Sequence, residues 1–189
     1  MIRTFLAFDL PEEARAVLRQ AQRCLIDQGI RISWVRPENI HLTVKFLGEI
    51  SEQAVERVCL SAAASTEKTR PMDLAVKGLG VFPDARRPRV VWAGLTGATQ
   101  SLIDFQAELE ENLAVSGFAK EPRPFKAHLT LGRVKHAIVP EKLVSALDAC
   151  ARFSPRSFPA DRLILFRSDL KPNGAVYTVL KTFPLSGGE

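Results

Sequence analysis

The chain has 189 residues, of which 46% are hydrophobic and 25% are charged, a composition that excludes disordered and fibrous proteins. A chain of this length buries roughly 70% of its unfolded surface, enough for a core without covalent cross-links. The formal net charge of +5 is compatible with an anionic partner but does not by itself indicate nucleic acid. No apolar run approaches the ~18 residues of a membrane-spanning helix. We therefore expect a monomeric cytoplasmic protein in which residues 1–189 form one domain.

The first half of the chain alternates strand and helix patterns. Residues 2–10 form an apolar, partly β-branched run, typical of a buried strand. Pro11-Glu12-Glu13 then opens a helix that ends near Gly29. The further elements predicted in this half are strands at 33–36 and 40–46, a helix from Ser51, and strands at 72–76 and 90–93 joined by a loop through Gly78 and Gly80.

The second half repeats this style. A long helix is predicted over 99–116, ended by Gly117. The elements that follow it are a strand at 127–134, a helix at 140–150, and strands at 163–166 and 175–182 with Pro172-Asn173-Gly174 as their turn. This alternation indicates an α/β or α+β fold and excludes a helical bundle.

The three cysteines, Cys24, Cys59 and Cys150, are far apart in the sequence and form no CxxC motif. This spacing does not favour a disulfide framework or a cysteine-based zinc site. Free cysteines are among the most buried residue types. We therefore expect three buried free thiols, each on a helix.

One internal repeat stands out. Residues 37–44 and 124–131 share the pattern Pro-x-x-x-His-Leu-Thr-aliphatic, although the chain contains only three histidines. The repeated histidines, His41 and His128, are separated by nearly half the chain. We interpret the repeat as a duplication that gives two similar lobes.

In a strand, residues two apart point to the same face. His41 and Thr43 should therefore project together, as should His128 and Thr130, with the aliphatic residues between them facing a core. If the lobes are related by a two-fold axis, both pairs converge on one groove. The sequence then predicts a site with two imidazoles and two hydroxyl groups, each pair held on a rigid strand.

These residue types suit phosphoester chemistry without a metal. Imidazole titrates near pH ~6.5, so we expect one histidine to be neutral and the other protonated. The neutral one can take a proton from an attacking water or hydroxyl group, and the protonated one can donate to the leaving oxygen. Threonine hydroxyl groups can bond the non-bridging phosphoryl oxygens.

A single His-x-Thr in a strand is more often a structural histidine with satisfied hydrogen bonds. The matched contexts of the two copies favour the catalytic interpretation. A metal site is disfavoured because the sequence has no HExxH motif and no Cys/His cluster. His136 lacks ligand-like spacing and is expected to be a solvated residue in a loop or at a strand end.

At these residues the sequence resembles a known family. Residues 41–48 (HLTVKFLG) and 128–133 (HLTLGR) are similar to the paired HxTx motifs of the two-histidine phosphoesterases. Within that superfamily the segments 3–11, 78–83 and 175–180 resemble the RNA 2′,3′-cyclic phosphodiesterases, also called 2′-5′ RNA ligases. Ala127 departs from the pattern, because the family often has proline before the second histidine.

The resemblance implies a bilobal α+β duplication with a pseudo-two-fold axis, an antiparallel sheet with flanking helices in each lobe, and an active-site groove between the lobes. It implies hydrolysis of RNA 2′,3′-cyclic phosphate ends, tRNA fragments among them, to 2′-phosphomonoesters. It also implies reversible ATP-independent 2′-5′ ligation, and no cofactor. By motif order, His41 would be the proton donor and His128 the proton acceptor.

Other residues are candidates for binding. Arg133 suits phosphate recognition, but it lies at an odd spacing from His128, so only a bulge or strand end would bring it to the site. Arg86, Arg87 and Arg89 form a loop cluster that suits an RNA backbone. The aromatic residues that include candidate base-stacking positions are Trp34, Trp92, Phe5, Phe46, Phe125 and Tyr177.

Two other functions stay open at this point. One is a phosphodiesterase that acts on small cyclic nucleotides or on ADP-ribose cyclic phosphate. The other is a module that binds RNA ends without turnover, which the presence of both His-x-Thr pairs disfavours.

Overall fold

The computed structural model describes residues 1–172 and 174–187, which form two antiparallel sheets and four α-helices. The strands are β1 (Ile2–Phe8), β2 (Ser33–Trp34), β3 (Leu42–Ile50), β4 (Met72–Phe82), β5 (Val90–Gly97), β6 (Leu129–Arg133), β7 (Arg156–Ala160), β8 (Arg162–Lys171) and β9 (Gly174–Pro184). The helices are α1 (Glu12–Asp27), α2 (Glu52–Thr66), α3 (Thr99–Val115) and α4 (Pro140–Cys150). No helix among the described residues is long and apolar enough to cross a membrane.

Each sheet contains strands from both halves of the chain. The first sheet has the order β3-β1-β8-β9 and is covered by α2 and α3, and the second has the order β2-β6-β5-β4-β7 and is covered by α1 and α4. The bilobal α+β fold is as predicted. The lobes do not, however, correspond to the two sequence halves, because β4 joins the second sheet and β8 joins the first.

Residues 5–8 of strand β1 are all apolar because both faces of the strand are buried there. Leu6 and Phe8 point into the main core beneath the helices. Phe5 and Ala7 point the other way, into a small cluster with Ile164 and Phe166. We call the face of each sheet that is turned away from its helices the open face, and this cluster lies on the open face of the first sheet.

The predicted helices agree closely with those observed. Ser51 caps α2, and its hydroxyl oxygen accepts a hydrogen bond of 3.2 Å from the backbone N–H of Ala54. Strand β4 is longer than predicted because Gly78, with φ of 74°, allows the chain to continue through an irregularity in the ladder. Strand β7 was not predicted; it contains Pro159, which an edge strand tolerates. The predicted turn at Asn173 lies outside the described residues.

The prediction of three free thiols is wrong for two of the cysteines. Cys24 on α1 and Cys150 on α4 form a disulfide, with their Cα atoms 5.7 Å apart. The two helices pack side by side on the second sheet, and this proximity is invisible in the sequence because the residues are 126 positions apart. Cys59 is free and half-buried, and burial raises the pKa of its thiol.

Reduction of this disulfide should destabilise the protein. A cross-link that closes a loop of ~100 residues restricts the unfolded chain, and its loss costs about 2–5 kcal/mol. Thermal unfolding of the wild type with and without a reductant should therefore give a lower Tm in the reduced sample, and Cys150→Ser should reproduce that lower Tm. The matched control Cys59→Ser should keep the difference in Tm between the oxidised and reduced samples. Equal midpoints for oxidised and reduced wild type would contradict the expectation.

Candidate active site

Both repeated histidines lie at the starts of strands rather than within them. Strand β3 begins at Leu42, which pairs with Phe8, the last residue of β1, so no residue of β1 lies opposite His41. His128 likewise directly precedes β6, whose pairing with β5 begins at Leu129. The predicted strands at 40–46 and 127–134 therefore each started two residues too early.

The predicted division of each motif between two faces is correct. The aliphatic residues of the motifs, which are Leu42, Val44, Leu129 and Leu131, are all buried in the main core. Thr43 lies opposite Ala7, on the open face of the first sheet. Thr130 lies opposite Trp92 in the second sheet and is half-buried, like Thr43.

Each motif strand carries a β-bulge directly after its threonine. The ladder between β1 and β3 has no partner for Val44, and the ladder between β5 and β6 has none for Leu131. An extra residue reverses the faces of the residues that follow it. The fifth residue after each histidine is therefore turned to the open face, where Phe46 lies opposite Phe5, and Arg133 opposite Val90. The bulge thus places Arg133 on the same face as Thr130, despite its odd spacing from His128.

Aromatic rings surround His41. Its imidazole stacks on Phe5, with ring centroids 4.6 Å apart, and meets Tyr177 edge-on at 5.2 Å. Burial in this apolar setting lowers the pKa of His41 to about 4. A hydrogen bond with the backbone of Asn39 and the charge of Asp9 raise the pKa, but they do not offset the burial.

His128 has a related environment in the other lobe. Its Nδ1 lies 2.6 Å from the carbonyl oxygen of Lys126, and its ring meets Phe82 edge-on at 5.0 Å. Because a carbonyl oxygen can only accept, Nδ1 carries the proton and Nε2 is left with a lone pair. Burial lowers the pKa of His128, the bond to Lys126 raises it, and the charge of Arg133 lowers it. The pKa values of both histidines are thus shifted downward, which favours the neutral imidazole of each in the free protein.

Arg133 connects the two motifs electrostatically. Its charge lowers the pKa of His128 in its own lobe and also that of Tyr177 on β9 in the other lobe, although burial makes the net shift of Tyr177 upward. Tyr177 in turn contacts His41. The side-chain amide of Asn39, two residues before His41, donates a hydrogen bond of 2.8 Å to the carbonyl of Ala175 on β9. The charge of Arg133 therefore acts on a titratable group in each lobe.

The candidate aromatic residues have different positions. Trp34 and Phe125 pack against the main core, and Phe5 is only 2% exposed beneath His41. Trp92 lies across Gly80, where an added Cβ would be 2.3 Å from its indole ring. Phe46 is 59% exposed on the open face of the first sheet. Of the candidates, Phe46 has the surface that a base could cover.

The loop between β4 and β5 carries the predicted arginine cluster. The carboxylate of Asp84 accepts hydrogen bonds from the backbone N–H groups of Arg86 at 2.8 Å and Arg87 at 3.0 Å, and the three arginines, Arg89 included, are exposed. The loop follows Phe82, which contacts His128, so it lies at the edge of the site. Phe82 has no signal of its own in the sequence as a site residue, because its contact with His128 depends on strand pairing.

The remaining histidine belongs to neither His-x-Thr motif. His136 is exposed in the loop between β6 and α4. Within residues 1–172 and 174–187 there is no group of three or more His, Cys, Asp or Glu side chains that could hold a metal ion.

Comparison with known proteins decides the family. The family described as LigT like Phosphoesterase matches residues 8–92 and 95–177, and each matched stretch contains one His-x-Thr motif. The chain belongs to this family. The LigT-like phosphoesterase is 34% identical over 180 residues to the RNA 2′,3′-cyclic phosphodiesterase of Methanocaldococcus jannaschii, covering 95% of this chain and 99% of the relative. It is also 34% identical over 188 residues to the RNA 2′,3′-cyclic phosphodiesterase of Thermotoga maritima, covering 99% and 97% of the two chains.

Solved structures agree with this assignment. The LigT-like phosphoesterase resembles the crystal structure of E. coli LigT complexed with 3′-AMP, with a TM-score of 0.75, 26% identity and 98% of each chain covered. It also resembles the crystal structure of TT0787 of Thermus thermophilus, with a TM-score of 0.73, 32% identity and complete coverage of both chains. The resemblance inferred from the paired motifs is therefore confirmed.

Proposed function

We propose that this LigT-like phosphoesterase hydrolyses 2′,3′-cyclic phosphate ends of RNA to 2′-phosphomonoesters, without a metal or a cofactor. The observation that carries the proposal is the repeated His-x-Thr motif, present once in each sheet with the same bulge after its threonine, which turns Arg133 to the open face beside the second copy. Two general acid–base residues and a cation around one region suit a phosphate monoanion. The names of the relatives from M. jannaschii and T. maritima support the same substrate.

The reaction is an in-line displacement at phosphorus. A water molecule attacks phosphorus, His128 Nε2 accepts its proton, the bond between phosphorus and O3′ breaks, and His41 donates a proton to O3′. The 2′-phosphomonoester and a free 3′-hydroxyl group result. The hydroxyl groups of Thr43 and Thr130 donate hydrogen bonds to the non-bridging oxygens, where charge increases in the transition state.

The lowered histidine pKa values require the substrate to take part in protonation. At neutral pH the free enzyme holds both imidazoles uncharged, since burial lowers both pKa values. The negative charge of the cyclic phosphate favours a protonated imidazole beside it and raises the pKa of His41. The bound state therefore holds the proton that His41 transfers to O3′. Arg133 carries the permanent positive charge that binds the phosphate.

Phe46 is the proposed surface for the nucleobase next to the cyclic phosphate. It occupies the same position after His41 that Arg133 occupies after His128, so the two lobes offer an aromatic face and a cation at equivalent places. Stacking of one base on such a side chain contributes about 1–3 kcal/mol. The E. coli LigT structure with 3′-AMP supports nucleotide binding by this fold.

The same site supports 2′-5′ ligation. If a 5′-hydroxyl group of a second RNA end replaces water as the nucleophile, the bond between phosphorus and O3′ breaks and a 2′-5′ phosphodiester forms. The reaction needs no ATP, because the cyclic phosphate supplies the bond that is exchanged. We infer that the enzyme is located in the cytoplasm.

The test is a hydrolysis assay on an RNA oligonucleotide that ends in a 2′,3′-cyclic phosphate. We expect a 2′-phosphomonoester product, with equal rates in the presence and absence of a chelator. A 3′-phosphomonoester product, or loss of activity with the chelator, would contradict the proposal. Binding of the oligonucleotide without any product after prolonged incubation would support a non-catalytic module instead.

The assay should include a cyclic mononucleotide and ADP-ribose cyclic phosphate. The exposed arginines at 86, 87 and 89 favour a substrate with a longer backbone, since each neutralised phosphate adds salt-dependent affinity. We expect a higher kcat/KM for the oligonucleotide, and this advantage should decrease as salt increases. Equal kcat/KM for the oligonucleotide and the small substrates would favour the small-nucleotide phosphodiesterase.

A further inference from the structure

A buried glutamine joins the segments that carry the two histidines. Gln22 on α1 is only 6% exposed, and its side-chain amide donates two hydrogen bonds, to the carbonyl of Val35 at 2.7 Å and to the carbonyl of Leu131 at 2.9 Å. Both amide hydrogens are therefore used. The backbone N–H of Val35 also donates to the carbonyl of Leu131, at 2.9 Å.

The two acceptors are close to catalytic positions along the chain. Leu131 is the extra residue of the β6 bulge, so it follows Thr130 and precedes Arg133 by two residues. Val35 follows the short strand β2, after which the chain crosses to the first lobe and reaches His41 six residues later. One side chain thus fixes the bulge of one motif against the segment that leads to the other motif.

A second glutamine occupies a related position in the other lobe. Gln106 on α3 is 8% exposed and its side-chain amide donates to the carbonyl of Val44, at 3.4 Å, and to the carboxylate of Glu110, at 3.1 Å. Val44 is the extra residue of the β3 bulge. Each bulge is thus contacted by a buried glutamine from the helix that packs beneath it. Only Gln22 also binds the crossing segment.

We propose that Gln22 is a positioning residue that holds the β6 bulge and thereby directs Arg133 toward the phosphate. Without the amide, the carbonyl of Val35 loses its side-chain donor. The carbonyl of Leu131 in the bulge keeps only the hydrogen bond from the backbone N–H of Val35. The bulge then has freedom to relax, and relaxation to a regular strand would turn Arg133 to the opposite face. The proposal rests on the proposed function in assuming that Arg133 binds the phosphate of the substrate. The hydrogen bonds by which Gln22 holds the bulge do not depend on that function.

The test is a double-mutant cycle between Gln22→Met and Arg133→Ala. Methionine keeps the length and burial of glutamine and removes the donor. We expect Gln22→Met to reduce kcat/KM for the cyclic-phosphate RNA by about tenfold or more, mainly through the loss of the Arg133 contact. In the Gln22→Met background, Arg133→Ala should then cost at least fivefold less than it costs in the wild type.

Controls separate positioning from general destabilisation. Gln20→Met changes an exposed glutamine on the same helix and should leave kcat/KM unchanged. Gln106→Met removes the related amide in the other lobe, and Arg133→Ala should keep its full effect in that background. The proposal would be overturned if the loss of kcat/KM in the double variant equalled the product of the two single losses within about twofold, because independent sites behave in this way.

A second readout does not require turnover. The chain has three histidines, so the NMR titration of His128 can be followed in the free protein. Burial lowers the pKa of His128 and the charge of Arg133 lowers it further, whereas the Lys126 ammonium lies over the Phe82 ring. Gln22→Met should raise the pKa of His128 as Arg133→Ala does, with no further rise in the double variant. If the pKa of His128 rises in this way but the wild type does not hydrolyse RNA, the proposed function is refuted and the positioning role is not. An unchanged pKa of His128 in Gln22→Met would refute the positioning role.

Discussion

Replacement of either His41 or His128 with alanine is expected to reduce kcat/KM for a cyclic-phosphate RNA by about 10²–10⁴-fold, the usual contribution of a general acid or base. The loss of His128 removes the group that takes the proton from water, and the loss of His41 leaves the departing O3′ without a donor. Each substitution should lower kcat as well as kcat/KM, because the proton transfers occur in the transition state. Single-turnover kinetics would measure the chemical step directly.

The histidine variants have a matched control in the same chain. His136→Ala removes the exposed third histidine and should leave the rate unchanged. The double variant His41→Ala, His128→Ala should be only slightly slower than the slower single variant, since residues that act as a unit are not additive. His41 packs on Phe5, so the Tm of each variant must be measured to exclude unfolding. A folded His128→Ala variant with more than half of the wild-type rate would contradict the mechanism.

The pH dependence should be large and displaced toward acid. Burial lowers the pKa of His41 to about 4 and also lowers that of His128 from its usual 6.5. The active form needs one protonated and one neutral histidine, so kcat/KM, which reports the free enzyme, should peak below pH 6.5. Above the higher of the two pKa values, kcat/KM should fall about tenfold per pH unit, because the fraction that carries the proton falls tenfold.

The profile of kcat should differ from that of kcat/KM. The bound phosphate raises the pKa of the protonated histidine, so the alkaline limb of kcat should move to higher pH than the alkaline limb of kcat/KM. Rates measured across the pH range with saturating RNA give the profile of kcat, and rates measured with limiting RNA give the profile of kcat/KM. A kcat/KM maximum above about pH 7.5 would show that the histidines are not desolvated in the free enzyme.

The repeated His-x-Thr pattern was sufficient to predict how each motif divides between the two faces of its strand. Strand alternation correctly assigned the threonines to one face and the leucines to the core, because burial enforces a period of two in the residues up to Thr43 and Thr130. Helix ends were also predictable, since proline and serine at helix starts act through local geometry. These features depend on residues within a few positions of one another.

Features that depend on contacts between distant segments were not predictable. The bulges after Thr43 and Thr130 have no composition of their own, so the direction of Arg133 could not be derived from its spacing. The exchange of β4 and β8 between the sheets, and the disulfide between Cys24 and Cys150, arise from the packing of segments far apart in the sequence. The downward shift of both histidine pKa values follows from aromatic rings that strand pairing brings to His41 and His128.

The most direct measurement is a crystal structure of the enzyme with a nucleoside 2′,3′-cyclic vanadate, which imitates phosphorus during the displacement. We expect vanadium to lie between the Nε2 atoms of His41 and His128, with the two threonine hydroxyl groups and Arg133 on its oxygens and the base on Phe46. A vanadate that contacts only one of the two histidines, or that binds outside this groove, would contradict a shared site built from both halves of the chain.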